Sequence, residues 1–199
     1  MSPAPLTTLE HEYVTAAARG HHEEAARLEH LVDQAHQAKR AQLAAPGALL
    51  ASALWYADTL RLPVFPLAPG QKRPATSHGF HDATISLDQI RAWWQAIPEA
   101  NIGAPTGHLF DAFDVDGPEG MIALGEFMDQ GEFPPTLGLS LTPRGRHYLV
   151  PTTGRGNTTN LLPKVDYRGT GGYIVMPPSR TPEGSYHWDT PLTPTEVAA

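Results

Sequence analysis

Between Thr7 and Leu43 the chain has a single glycine, Gly20, and no proline, although its 199 residues include 18 glycines and 20 prolines. That partition sets two kinds of folding in one chain. The first stretch is rich in Ala, Glu, Gln, Arg and Leu, with apolar residues at Tyr13, Ala17, Leu28, Leu31, Val32, Ala35 and Leu43, which is helix chemistry. A glycine costs about 1 kcal/mol inside a helix, so at Gly20 two helices or a kinked one fit as well as a single rod. His11, His21, His22, His30 and His36 lie here. No two of them have the i, i+4 spacing with which one helix face binds metal, so they are expected at the surface.

Ala45-Pro46-Gly47 interrupts this stretch and opens a second helix, Ala48 to Leu60, with Leu50, Leu54, Ala57 and Leu60 on one side. From Leu62 onward proline and glycine become frequent. Short β-type runs appear at Val64 to Leu67, Leu109 to Val115, Leu137 to Leu141, Arg146 to Val150, Asp166-Tyr167, Tyr173 to Met176 and Tyr186 to Trp188. Two helices interleave with them. Ser86-Leu87-Asp88-Gln89 has the capping-box pattern, in which hydroxyl and glutamine satisfy each other's free amides, and predicts a helix through Trp94. Pro118-Glu119 opens the other, with proline in the first turn and a carboxylate near the positive end of the dipole. The expected organisation is a helical segment over residues 1–45, an α/β (α+β) domain over 46–189 with an antiparallel or mixed sheet from about Leu62 to Asp189, and a linker-like tail over 190–199.

Composition excludes several classes. The longest apolar runs are a few residues, against the ~20 that a membrane helix needs. There are no cysteines, and the N-terminus lacks the charged and apolar regions of a secretory signal, so a cytoplasmic protein without thiolate chemistry is expected. A net charge of −7 argues against a uniformly basic nucleic-acid coat, but the charge is segregated. From His81 to Ser140 ten carboxylates accompany one arginine, Arg91; from Leu141 to Arg180 six cations accompany one acid, Asp166.

Phe113-Asp114-Val115-Asp116-Gly117 carries the sharpest chemistry. On a strand, Asp114 and Asp116 project to one face and Phe113 and Val115 to the other, with Asp111 sharing the parity of Phe113. Two carboxylates about 7 Å apart repel unless a cation lies between them, and a hard divalent ion serves. Asp-x-Asp alone also occurs in glycosyltransferases, nucleases and ordinary turns. Thr142-Pro143-Arg144-Gly145-Arg146-His147 adds two guanidiniums and an imidazole suited to phosphate oxygens, or else a basic hairpin turn. In Val165-Asp166-Tyr167-Arg168-Gly169-Thr170-Gly171-Gly172, Asp166 and Arg168 share a strand face, and the glycines allow backbone to approach a ligand. As the lone acid of a cationic run, Asp166 stands where a third metal ligand beside a phosphate site belongs. Of the adjacent Trp93 and Trp94, about 100° apart on a helix, at most one faces the core squarely.

In this order the segments resemble the bifunctional DNA primase-polymerase (Prim-Pol) family of the archaeo-eukaryotic primase superfamily. The likeness runs from about Ala57 to Trp188. It includes Val64-Phe65-Pro66 with Lys72-Arg73-Pro74, Gly79-Phe80-His81-Asp82-Ala83-Thr84, Trp93-Trp94 with Pro98-Glu99-Ala100-Asn101-Ile102-Gly103, Thr106-Gly107, Asp114-Val115-Asp116, Thr142 to Gly145 with His147, and Asp166-Tyr167-Arg168-Gly169 through Pro177-Pro178-Ser179. Many relatives carry Gly-Gly-x-His where this chain has Gly145-Arg146-His147. The resemblance implies a primase-like catalytic domain with an RRM-like mixed or antiparallel sheet behind an N-terminal helical appendage. It implies a template-dependent nucleotidyltransferase of DNA replication in a bacterial, phage or plasmid setting. Asp114, Asp116 and Asp166 would hold two Mg2+ or Mn2+ ions, and His147 would complete the catalytic set by contacting the incoming triphosphate. Lys72, Arg144, Arg146 and Arg168 would contact triphosphate or template. The implied partners are a (d)NTP, single-stranded DNA template or primer, and a helicase domain or protein beyond this chain. The competing readings are a catalytically silent nucleotide- or DNA-binding module and a metal-dependent nuclease.

Overall fold

A computed structural model describes residues 12–13, 15–16, 19–43, 47–131 and 133–193. It divides into two compact units, Met1–Pro46 and Gly47–Ala199. In the first, Gly20 adopts φ 74° in a turn, a conformation glycine takes without steric cost, and helix α1 (His22–Leu43) follows. Gly20 therefore separates helical segments. His21, His22 and His30 are exposed; His11 and the side chain of His36 lie outside the described residues. No helix among the described residues is long and apolar enough to cross a membrane.

The second unit is α+β. Helices α2 (Ala48–Asp58), α3 (Leu87–Ala96) and α4 (Gly117–Asp129) accompany eleven described strands, which run antiparallel wherever they pair. Strands β3 (Asp111–Asp116), β4 (Gly138–Leu141), β5 (Gly145–Val150), β6 (Thr158–Leu162), β7 (Val165–Arg168) and β11 (His187–Thr190) form a six-stranded sheet in the order β11-β4-β5-β3-β7-β6. A second sheet has the order β1-β2-β8, from β1 (Phe65–Leu67), β2 (Asn101–Pro105) and β8 (Tyr173–Met176). A small hairpin pairs β9 (Arg180–Thr181) with β10 (Gly184–Ser185).

Strand parity divides the core. Phe113 and Val115 of β3, Tyr148 and Val150 of β5, and Val165 and Tyr167 of β7 cluster with Leu124, Met121, Phe127 and Met128 of α4. On the opposite face, Ala112 and Leu149 join a second core with Tyr56, Ile90, Trp94, Ile102, Ala104 and Met176. That face is thus sealed at one end of β3, while Asp114 and Asp116 occupy the other. Trp94 is buried, its Nε1 donating to Ala100 O at 3.0 Å, and Trp93 packs only partly.

Several local expectations change. Ser86 caps α3 by accepting from the Gln89 amide at 3.5 Å, but its own amide donates to Thr84 Oγ1 at 3.0 Å, so the capping box is not reciprocal. Strand β2 is absent from the expected runs because Asn-Ile-Gly-Ala-Pro lacks a β-type pattern. It is held by ladders on both sides, and Gly103 lies against the Phe65 ring, where a Cβ would be 2.5 Å from Cζ. Strand β6 was also unexpected, and its register shifts between Thr158 and Leu162, around Asn160 at φ 51°. The tail expected as a linker from residue 190 still packs: Thr190 belongs to β11 and Leu192 is buried in the core. Pro194 and Thr195 lie outside the described residues.

The glycines provide a stability test. Gly103→Ala should cost about 1–3 kcal/mol through displacement of the Phe65 ring. Gly125→Ala, within α4 and with open space around its Cβ position, should stabilise by about 0.5–1 kcal/mol. Urea denaturation of both variants checks the two signs.

Candidate functional site

Three strands build the site by register alone. Asp114 of β3 lies opposite His147 of β5 on one side and Asp166 of β7 on the other. Neighbouring strands are about 4.8 Å apart and directly opposed residues share a face. The three side chains therefore form a row across the sheet. Asp116 follows two residues after Asp114, at the start of α4, and Arg168 follows two residues after Asp166.

Contacts tie the row together. His147 Nε2 is 3.3 Å from Asp114 Oδ1. Arg168 Nη2 is 2.7 Å from Asp166 Oδ2 and 3.5 Å from Asp114 Oδ2. The Asn160 amide donates to Asp166 Oδ1 at 2.8 Å. Burial pushes the Asp114 carboxyl upward, but the hydrogen bond and charge of His147 and the guanidinium of Arg168 outweigh it, leaving the group below its ordinary value. His147 is buried; its Nδ1 and the Oγ of Ser140, which lies directly opposite on β4, have no hydrogen-bond partner among the described residues.

The row opens into a cleft of about 280 Å3 lined by Asp114, Asp116, His147, Arg168, Arg144 and Lys72, with Phe80, Tyr173 and Tyr186 as aromatic walls. At the rim, Arg144 Nη2 is 3.8 Å from Asp116, and Glu183 lies 3.8 Å from Arg144 Nε and 3.9 Å from Lys72 Nζ. These pairs are about half exposed, so they hold their partners weakly and leave the cations available to a ligand. Burial raises the Tyr186 phenol above its usual range, and the nearby Asp114 and Glu183 carboxylates raise it further.

The structure brings Asp114, Asp116, His147, Lys72, Arg144 and Arg168 to one cleft, with Asp166 joined to it through Arg168. Arg146 is placed elsewhere. It opposes Val115 on the face covered by α4, and its Nη1 donates to the Tyr148 hydroxyl at 3.4 Å. Among the described residues, no three His, Asp or Glu side chains are arranged as a metal cage; the space between Asp114 and Asp166 already holds the Arg168 guanidinium.

Asn157, Tyr186 and Thr142 also line the cleft and were not among the candidates. The signal for Asn157 lies in the glycine-rich stretch: Gly171 and Gly172 line the cleft, and Gly169 and Gly172 also abut a neighbouring loop. A Cβ on Gly172 would meet Asn157 Oδ1 at 2.3 Å, and one on Gly169 would meet Arg155 O at 2.1 Å. Asn157 Oδ1 accepts from the Gly169 amide at 3.1 Å, and the Thr170 amide donates to Arg155 O at 2.7 Å. On the α4 side Asp111 is buried, with Oδ2 accepting from the Tyr167 hydroxyl and from the Thr153 amide and hydroxyl. Burial and the bond to Asp111 push the Tyr167 phenol up to about 12, so it stays a donor near neutrality.

Comparison with known proteins bears on the family alone. The sequence model of the family described as bifunctional DNA primase/polymerase, N-terminal, matches residues 53–198. No curated protein matches the chain.

A carboxylate with a lowered folded-state pKa contributes stability above its unfolded pKa, and that contribution is lost as pH falls through the folded value. The stability advantage of the wild type over Asp114→Asn should therefore shrink as pH is lowered from 6 towards 3. Parallel urea titrations across that range measure the difference; a constant gap would contradict the pairing of Asp114 with His147 and Arg168.

Proposed function

Because the chain belongs to the bifunctional DNA primase/polymerase (Prim-Pol) family, we propose that the cleft performs template-directed nucleotidyl transfer from a (d)NTP to a DNA strand. The observation that carries this reading is the single row of Asp114, His147 and Asp166 across three strands, with Asp114 and His147 lining a cleft rimmed by Lys72 and Arg144 and Asp166 joined to it through Arg168. In the reaction a strand 3′-oxygen bonds to the α-phosphorus as the bond to the leaving pyrophosphate breaks.

The donor set fits hard divalent cations. Asp114 and Asp166 offer carboxylate oxygens on adjacent strands and already share a positively charged group between them, and Asp116 adds a third carboxylate at the cleft. These three aspartates would hold Mg2+ or Mn2+. When bound, two such ions activate the attacking oxygen and stabilise the leaving group. His147, oriented through Nε2 on Asp114, is assigned to the triphosphate, and Arg144 and Lys72 at the rim to triphosphate or template phosphate. Arg146, on the other face, has no part in this scheme.

Primer extension with Mg2+ or Mn2+ is the test. Asp114→Ala and Asp166→Ala should each lower incorporation by about 10²-fold or more while far-UV circular dichroism is retained. Incorporation close to wild type in either folded variant would overturn the assignment. Where Arg144 or Lys72 meets template phosphate, changing it to Gln should reduce the slope of log affinity against log salt for single-stranded DNA by about 0.7, whereas Arg146→Gln should leave that slope unchanged.

A further inference from the structure

Asp114 and Asp166 are direct cross-strand partners, a placement in which like charges destabilise a sheet. Arg168 compensates both. Its Nη2 alone makes the 2.7 Å contact to Asp166 and the 3.5 Å contact to Asp114. Both of its hydrogen bonds to these carboxylates come from that one nitrogen. The side chain is about a third exposed and lines the cleft, so two kinds of anion are within its reach: the aspartates, and any polyphosphate that enters. A planar guanidinium suits phosphate oxygens at least as well as carboxylates.

We propose that Arg168 is an exchangeable counter-ion. In the free protein it occupies the cation position between Asp114 and Asp166. When a triphosphate enters, the guanidinium moves onto its phosphates and releases both carboxylates to a divalent cation. The proposal rests on the nucleotidyl-transfer reading and extends it to the order of assembly. A cation arriving alone must displace Arg168, and a triphosphate arriving alone draws Arg168 away and leaves two facing carboxylates uncompensated. Arriving together they leave every charge paired. Cation and triphosphate therefore strengthen each other's binding, and by linkage they do so reciprocally.

The test is Mn2+ binding to the full chain, followed by loss of the free-ion electron paramagnetic resonance signal, without nucleotide and then with a non-hydrolysable nucleoside triphosphate, the signal lost to the triphosphate alone being measured without protein and subtracted. Without nucleotide, Arg168→Gln should bind Mn2+ about tenfold more tightly than wild type. Arg144→Gln removes the same charge from the same cleft without separating an arginine from the Asp114–Asp166 pair, so its gain should be clearly smaller. The triphosphate should tighten Mn2+ binding more in wild type than in Arg168→Gln. Equal gains in the two variants, or no gain in Arg168→Gln, overturn the counter-ion role while leaving the metal site intact. Failure of every variant to bind Mn2+, even with triphosphate present, overturns the nucleotidyl-transfer reading and this proposal with it. Should Arg168→Gln not fold, the unmodified chain still decides. Adding the triphosphate in EDTA, then Mg2+, should shift the Arg168 guanidinium nuclear magnetic resonance signals, and signals unchanged at saturation overturn the proposal.

Discussion

The cleft depends on the register of β3 between β5 and β7. A slip of one residue would send Asp114 into the α4 core and turn Phe113 towards the cleft, because side chains alternate strictly along a strand. Apolar packing prevents that slip. Phe113 and Val115 are committed to the cluster with Leu124, and Ala112 and Leu149 to the core on the other face. Gly145 secures the end of the ladder, where a Cβ would lie 1.8 Å from the Val115 carbonyl oxygen. The hydrophobic core thus decides where the charges stand. Two facing carboxylates are tolerated because β5 delivers His147, β7 delivers Arg168 and β6 delivers the Asn160 amide.

The segregation of charge along the chain acquires a spatial meaning here. Strand β3 comes from the acidic segment, while β5 and β7 come from the cationic one, and they are adjacent in the sheet. Opposite charges distant in sequence are interleaved at a spacing of one strand. The low-dielectric surroundings of Asp114 strengthen its pairing with His147.

Whatever followed from period-two alternation was legible in the sequence: the shared face of Asp114 and Asp116, the opposite orientation of Asp111, and the common face of Asp166 and Arg168. The same rule applied to Arg146 would have separated it from His147; its nearness to Arg144 in the chain obscured that. What escaped the sequence depends on partners far along the chain. Strand β2 exists because Phe65 needs a residue without a side chain beneath its ring, and β1 and β8 supply its hydrogen bonds. The packing of Leu192 depends on the Gly138 surface against which it rests, while its own Thr- and Pro-rich surroundings read as a linker. The resemblance to the family rests on many short segments in order, all of which fall within one compact unit.

The meeting of the Gly169–Gly172 turn with the loop that carries Arg155 and Asn157 has a consequence for how such a protein can change. A side chain at Gly169 would strike the Arg155 carbonyl and one at Gly172 the Asn157 amide oxygen, so neither glycine can change without shifting the other loop. The two behave as one heritable part despite their separation in the chain. An exchange of this wall between related proteins succeeds only when both loops are carried across together.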